Sequence, residues 1–195
     1  MMTRTPRNIG WIEVITGSMF SGKSEELIRR LRRAQIARQK VFIFKPRMDD
    51  RYSANDIVSH NQQRIDSIPV SSASDILEQA MDADVVGVDE AQFFDDDIVS
   101  VLAELANAGK RVVVAGLDKD FRGEAFGPMP QLMTQAEYVT KSLAICMICG
   151  EPANFTQRLT PDEDQIIVGE LDIYEARCRG CFKPPVAATV EEKAS

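Results

Sequence analysis

Three groups of residues in this 195-residue chain have types and spacings suited to chemistry. The first, Gly17-Ser18-Met19-Phe20-Ser21-Gly22-Lys23-Ser24, satisfies G-x-x-x-x-G-K-[ST] at every specified position. Glycine lets a loop turn its N–H groups inward around an anion, and a helix starting beside it adds the positive end of its dipole. Lys23 would then reach the β- and γ-phosphates of a nucleotide, and the Ser24 hydroxyl would ligate Mg²⁺. The competing reading, a Gly/Ser turn capping a helix with Lys23 in solvent, does not account for the complete motif. The second group is the acidic pair Asp89-Glu90, at the C-terminal end of the apolar run Val85–Val88. A carboxylate there can hold Mg²⁺ and its neighbour can accept a proton from an attacking hydroxyl, so Asp89 fits the metal and Glu90 the base. Solvated loop acids or a helix cap are the plainer alternative.

The third group is two C-x-x-C units, Cys146/Cys149 and Cys178/Cys181, separated by 28 residues. Two thiolates from each unit complete a tetrahedral Cys₄ site with no open position, so a bound zinc would be structural. Disulfides, core thiols or a redox pair are the other uses of four cysteines. The 28 residues between the units ask for another role. They hold Arg158, a polar tip at Thr160–Asp164 and an extended run from Gln165 to Gly169. A lid over a substrate and a plain surface hairpin both suit such an insert.

These groups need elements to hold them. Trp11 to Thr16 reads as a strand, and Glu25 to Gln39 as a helix with Leu27, Ile28, Leu31 and Ala34 on one side. Glu25 and Glu26 precede Arg29 and Arg30 by four residues, which makes the Arg-rich run mainly a solvated, ion-paired face. Val41–Phe44 reads as a strand, Lys45–Gln63 as a loop, Asp75–Met81 as a helix, and Val85–Val88 as a strand. Asp96–Ala108 follows as a helix, Arg111–Leu117 as a strand, and Tyr138–Ile145 as one last strand. Short β-branched strands alternating with helices predict a parallel sheet wrapped by helices. With the phosphate loop, the expected class is an α/β P-loop NTPase (RecA-like) sheet plus a small zinc-ribbon-like C-terminal domain. The expected boundaries are 9–141 and 142–183, with 1–8 and 184–195 as disordered tails.

The composition, 44% apolar and 27% charged, is that of a globular chain able to bury a core. Its 30 acidic against 23 basic residues, net −7, oppose binding to nucleic acid or an anionic membrane. No run approaches the ~18 apolar residues of a spanning helix, and the N-terminal segment lacks a signal-peptide core, so a cytoplasmic location is expected. The lone His60 sits in the polar loop without a Cys or acidic motif partner and is assigned no role.

Taken in order, Gly17–Ser24, Asp89-Glu90-Ala91-Gln92-Phe93-Phe94, Leu117-Asp118-Lys119-Asp120-Phe121-Arg122-Gly123, the cysteine pairs and Tyr174-Glu175-Ala176-Arg177-Cys178 resemble the cytosolic type II thymidine kinases. The resemblance covers Gly10 to Phe182. It implies transfer of the γ-phosphate of ATP to the 5′-hydroxyl of thymidine, with deoxyuridine as a further substrate, in deoxynucleotide salvage. It implies Mg²⁺ with ATP and a structural Zn²⁺. It places Glu90 as the base and Lys23, Ser24, Asp89 and Gln92 around the phosphates and metal, with Asp49 and Arg51 nearby. Met19, Phe121, Thr156 and Tyr174 would line the nucleoside pocket, and Gln165, Ile166, Ile167, Val168 and Gly169 would close over thymine through backbone hydrogen bonds. It also implies a homotetramer and feedback inhibition by thymidine triphosphate. One departure is Glu170, where many relatives carry a small residue, which bears on the geometry of thymine recognition. Phe93 and Phe94 suit either the pocket or the core beneath it. Two rival functions are a P-loop ATPase that hydrolyses ATP without a nucleoside and a noncatalytic zinc ribbon that binds nucleic acid. The first has little spare length for partner-binding domains, and the second lacks a basic footprint.

Overall fold

Strands that are apolar at successive positions need cover on both faces, and Val85–Val88 and Arg111–Gly116 are of this kind. The computed structural model describes residues 9–47, 56–58, 64–160 and 173–184. In chain order its first half contains β1 (Trp11–Gly17), α1 (Lys23–Ile36), β2 (Val41–Pro46), β3 (Asp56–Val58), β4 (Arg64–Asp66), β5 (Ile68–Val70) and α2 (Ala73–Ala80). There follow β6 (Val85–Val88), a 3₁₀ turn (Ala91–Phe93), α3 (Asp97–Asn107), β7 (Arg111–Gly116), α4 (Met129–Gln135) and β8 (Tyr138–Ser142). Four short strands complete it: β9 (Ala144–Ile145), β10 (Pro152–Ala153), β11 (Phe155–Arg158) and β12 (Tyr174–Arg177).

Six strands pair in the order β5-β2-β6-β7-β1-β8, and every pairing is parallel. Because side chains alternate across a strand, the sheet feeds two cores. Ile12, Val14, Val112 and Val114 join one core with α2, α3 and α4, whereas Ile15, Val113 and Ala115 join the other with Leu27, Ile28 and Leu31 of α1. This is the expected P-loop sheet with helices on both faces. One strand, β7, lies between the phosphate-loop strand β1 and the acidic-pair strand β6.

The sequence expectations differ from the structure in several places, and none of the expectations covers strands β4 and β5. The Lys45–Gln63 segment, expected to be loop, contains β3, which pairs antiparallel with β4; three-residue strands are too short to show a period. Tyr138–Ile145 is two strands: β8 completes the parallel sheet and β9 pairs antiparallel with β10. Helix α4 was not anticipated, since its seven residues include Pro130 and only Met129 and Leu132 are buried. Arg30 is not a solvated residue. It pairs with Glu26 at 2.7 Å and turns inward to Glu13 at 2.8 Å, while Arg29 stays on the surface with Glu26 at 2.6 Å.

Glu13 lies on the α1 side of β1, the face it shares with the apolar Ile15, and is 8% exposed. It accepts from Arg30, from Arg111 at 2.7 and 3.2 Å, and from Trp11 Nε1 at 2.8 Å. Burial alone would raise its pKa, but Arg111, then Trp11 and Arg30, outweigh burial and hold the carboxyl below its ordinary value. Removing one partner of a buried pair strands the others. Glu13→Gln should therefore lose about 3 kcal/mol of stability at neutral pH in urea unfolding. A depressed native pKa stabilises the fold above the unfolded value and ceases to do so as pH falls through the native value. The gap between the two proteins should thus be full above the ordinary 4.5 and close below it. A gap that is unchanged at low pH would refute the ionic origin.

Candidate active site

Parallel pairing puts the C-terminal ends of β1, β6, β7 and β8 along one edge of the sheet, where open α/β sheets bind ligands. That edge carries the Gly17–Ser24 loop, Asp89-Glu90, the Leu117–Gly123 segment and Lys141-Ser142.

The loop after β1 is held by backbone geometry. Gly17 has φ 143°, and a Cβ there would lie 2.1 Å from the Ser142 carbonyl oxygen, so the loop can leave β1 beside β8 only without a side chain. Gly22 caps α1 at φ 77°, and Phe20 holds φ 63°, a conformation unusual for a side-chain-bearing residue. The Ser21 hydroxyl and Lys23 Nζ both donate to the Ser18 carbonyl, at 2.7 and 2.8 Å. Burial draws the Lys23 pKa down, while the charges of Glu90, Asp89 and Asp118 oppose that fall. The charges of three carboxylates, from two neighbouring strand ends, thus act on Lys23.

Asp89 is 5% exposed, and burial together with the adjacent Glu90 charge pushes its carboxyl up to about 7. Its oxygens receive the Glu90 N–H at 3.0 Å and the Ser24 hydroxyl. Touching hydroxyl and carboxylate oxygens form a hard donor set, and a buried carboxylate beside a second one is the conflict a divalent cation relieves. Ser24 and Asp89 thus fit Mg²⁺. Glu90 itself sits at φ 52°, ψ 40°, in the left-handed region, and caps the 3₁₀ turn. Gln92 is 2% exposed; its Nε2 donates to Glu90 Oε2 at 2.5 Å, and its Oε1 accepts from Leu117 N at 2.9 Å. These two hydrogen bonds hold the Gln92 amide between the Glu90 carboxylate and the first residue after β7. Gly127 is needed alongside, since a Cβ there would meet the Gln92 carbonyl oxygen at 2.4 Å. Phe94 is core, and Phe93 packs edge-on against Phe126 with centroids 5.5 Å apart.

After β7 the chain folds around Asp120, whose Oδ1 accepts from Arg122 N at 2.8 Å and Glu124 N at 3.1 Å and so presents Phe121. Asp118 accepts from Lys119 at 3.0 Å and Lys141 at 2.5 Å, joining the ends of β7 and β8. Burial would raise its pKa, but the two lysines hold it low. Sequence reasoning assigned no role to Asp118, Lys119 or Lys141. The L-D-K-D-F-R-G run was the available signal for the first two, whereas Lys141 had none.

The hairpin β11–β12 approaches the loop from the other side. The Thr156 hydroxyl accepts from Met19 N at 3.0 Å, and Ser18 Oγ donates to the Ala153 carbonyl at 3.4 Å. Phe121, Arg158 and Tyr174 come together behind them, all buried. Met19, Phe121, Thr156 and Tyr174, expected in one pocket, are thus gathered on one side of the phosphate loop. Asp49, Arg51, His60, Gln165, Ile166, Ile167, Val168, Gly169 and Glu170 lie outside the described residues.

The four cysteine sulfurs lie within 4.8 Å of one another, and no disulfide joins them. Cys149 Sγ and Cys178 Sγ are 3.6 Å apart, near the roughly 3.8 Å between sulfurs on a tetrahedral zinc. The β9–β10 turn carries the first pair, with Gly150 at φ 75°, and the second pair follows β12. Burial opposes ionisation of Cys146, yet N–H groups of Cys178, Cys149 and Ile148 draw it down to about 6. The sulfurs of Cys178 and Cys149 push Cys181 up to about 12. Crowded thiols resist joint ionisation unless a cation sits among them, so this set fits a soft-ligand metal such as zinc. Among the described residues, no helix is long and apolar enough to cross a membrane.

A model of the thymidine kinase family matches residues 10–182. A curated protein named thymidine kinase, from Rhodothermus sp. (strain ITI 518), is 61% identical over 185 residues, which cover 95% of this chain and 87% of that protein. Among solved structures, the flagellar accessory protein FlaH from Methanocaldococcus jannaschii has a similar fold, with a TM-score of 0.52 at 12% identity, over 75% of this chain and 76% of that one.

Proposed function

Since the chain belongs to the thymidine kinase family and phosphorylates thymidine, we propose that Glu90 is its catalytic base and that the strand-end edge divides into a phosphate half and a nucleoside half. The Gly17–Ser24 loop binds the phosphates of ATP, with Lys23 on the transferring group. The hairpin side, Met19, Phe121, Thr156 and Tyr174, receives the nucleoside and directs its 5′-hydroxyl toward Glu90. As the 5′-oxygen forms its bond to the γ-phosphorus, its proton passes to the Glu90 carboxylate. The bond from the γ-phosphorus to the oxygen bridging it to the β-phosphate breaks, and ADP leaves with that electron pair. Ser24 and Asp89 would hold Mg²⁺, which when bound neutralises phosphate charge. Cys146, Cys149, Cys178 and Cys181 would hold structural zinc and fix the base of the nucleoside half. In this reading residues 9–141 form the nucleotide-binding unit and 142–183 the nucleoside-covering unit. The backbone of Gln165–Gly169 is the thymine contact, and Asp49 and Arg51 approach the phosphates. Family membership further supports a cytoplasmic homotetramer inhibited by thymidine triphosphate.

The observation that carries this reading is Glu90, strained into the left-handed region, gripped by Gln92 and close enough to act on Lys23. The test is ADP release from Mg-ATP with thymidine and, in parallel, with each other common nucleoside. Release should require thymidine, with deoxyuridine as the next-best acceptor, since one methyl group is worth only about 1 to 3 kcal/mol. Release indifferent to nucleoside would replace the kinase reading with ATP hydrolysis.

A further inference from the structure

Arg158 is a cation inside the fold, 7% exposed, in a hairpin that the phosphate chemistry does not use. Its guanidinium carbon lies 3.6 Å from the centroid of the Phe121 ring and 5.4 Å from that of Tyr174. Its Nη2 donates to the Tyr174 hydroxyl at 2.8 Å. The two aromatic partners come from different parts of the chain. Phe121 belongs to the loop after β7, held by Asp120, and Tyr174 stands opposite Arg158 in the β11–β12 register. A buried guanidinium is costly unless its contacts are specific, and a planar group that stacks on one ring while hydrogen-bonding a second phenol sets both orientations. Lysine could keep the charge but not both contacts.

We propose that Arg158 is the positioning residue of the nucleoside pocket, fixing Phe121 and Tyr174 as its walls and thereby setting thymidine affinity without acting on ATP. This rests on the reading that those two residues line the nucleoside half. Exposed Arg122 also lies over Phe121, at 5.1 Å, but its charge is in solvent, where such a contact is weak. Arg158 acts through the two rings, so its loss should separate the two substrates.

Thymidine binding to the full chain, measured by isothermal titration calorimetry, and the KM for each substrate supply the readout. Arg158→Met should weaken thymidine binding about 30-fold, with the KM for ATP within about twofold and the melting temperature of the sheet little changed. Arg158→Lys should recover part of the affinity. Tyr174→Phe, which removes only the hydroxyl, should weaken binding about 10-fold. In combination with Arg158→Met it should add less than that, because both changes break one contact. Unchanged thymidine affinity in Arg158→Met, equal rises in both KM values, or strictly additive effects would each overturn the proposal. Should Arg158→Met not fold, Tyr174→Phe decides alone: weaker thymidine binding upholds the role, and unchanged binding ends it. Failure of the unmodified protein to bind thymidine would instead remove the pocket reading, and this proposal with it. The two failures are told apart by the protein in which they appear.

Discussion

Glu90→Gln is expected to lower kcat for thymidine phosphorylation about 1,000-fold while leaving the KM for ATP within about twofold. The substitution is nearly isosteric, and the surrounding contacts tolerate it. The Glu90 N–H still reaches Asp89 Oδ1 at 3.0 Å, and a glutamine carbonyl can still accept from Gln92 Nε2. The left-handed backbone should therefore persist, and what is lost is the capacity to take a proton. In the proposed reading the Gly17–Ser24 loop binds the phosphates, and its internal hydrogen bonds do not involve Glu90. A loss confined to kcat would identify an interaction made only in the transition state. A kcat within about tenfold of wild type would place the proton acceptor elsewhere, with Asp89 the nearest alternative. Gln92→Ala offers a graded companion, because it removes the grip on Glu90 and leaves the carboxylate in place.

Removing the zinc proposed for the cysteine cluster should also have a large effect, for a different reason. Among the described residues, the two cores that flank the main sheet contain no fully buried member beyond Leu132, so the sheet does not lean on the cysteine hairpins. Among the described residues those hairpins share a small core of Ala144, Cys146, Ala153 and Ala176, with Phe20, Cys178 and Cys181 packed against it, while Phe155 and Tyr174 are buried on the β11–β12 side. So small a shared core buries little apolar area at the cysteine end, and in the proposed reading a bound metal supplies the difference. Chelation, or Cys178→Ser, should therefore unfold the hairpins and spare the sheet. Thymidine-dependent ADP release should fall about 100-fold or more, with most of the helical circular dichroism retained. The phosphate loop should also loosen, because Met19 N is anchored on Thr156 and Ser18 on Ala153. Full thymidine turnover by protein assayed as free of zinc would overturn the structural-metal reading.

The amino-acid sequence by itself determined the features that depend on neighbours along the chain. The Gly17–Ser24 motif, the acidic pair closing Val85–Val88, the C-x-x-C turns and the alternation of strands with helices are all written within a few residues. Backbone preference and side-chain period act over that range. The same locality explains the misses. Strand β3 and helix α4 are too short to carry a period, and Tyr138–Ile145 is apolar on both sides of a break that only strand partners reveal. What tertiary structure alone decided is how distant groups share one edge. It set the amide of Gln92 between Glu90 and Leu117, joined Asp118 to Lys141 across 23 residues, seated Thr156 against Met19 across 137, and turned Arg158 inward onto Phe121 and Tyr174. A lysine, a glutamine or an arginine reads in sequence as a surface residue, because burial of a polar group depends on a partner that strand order alone brings within reach.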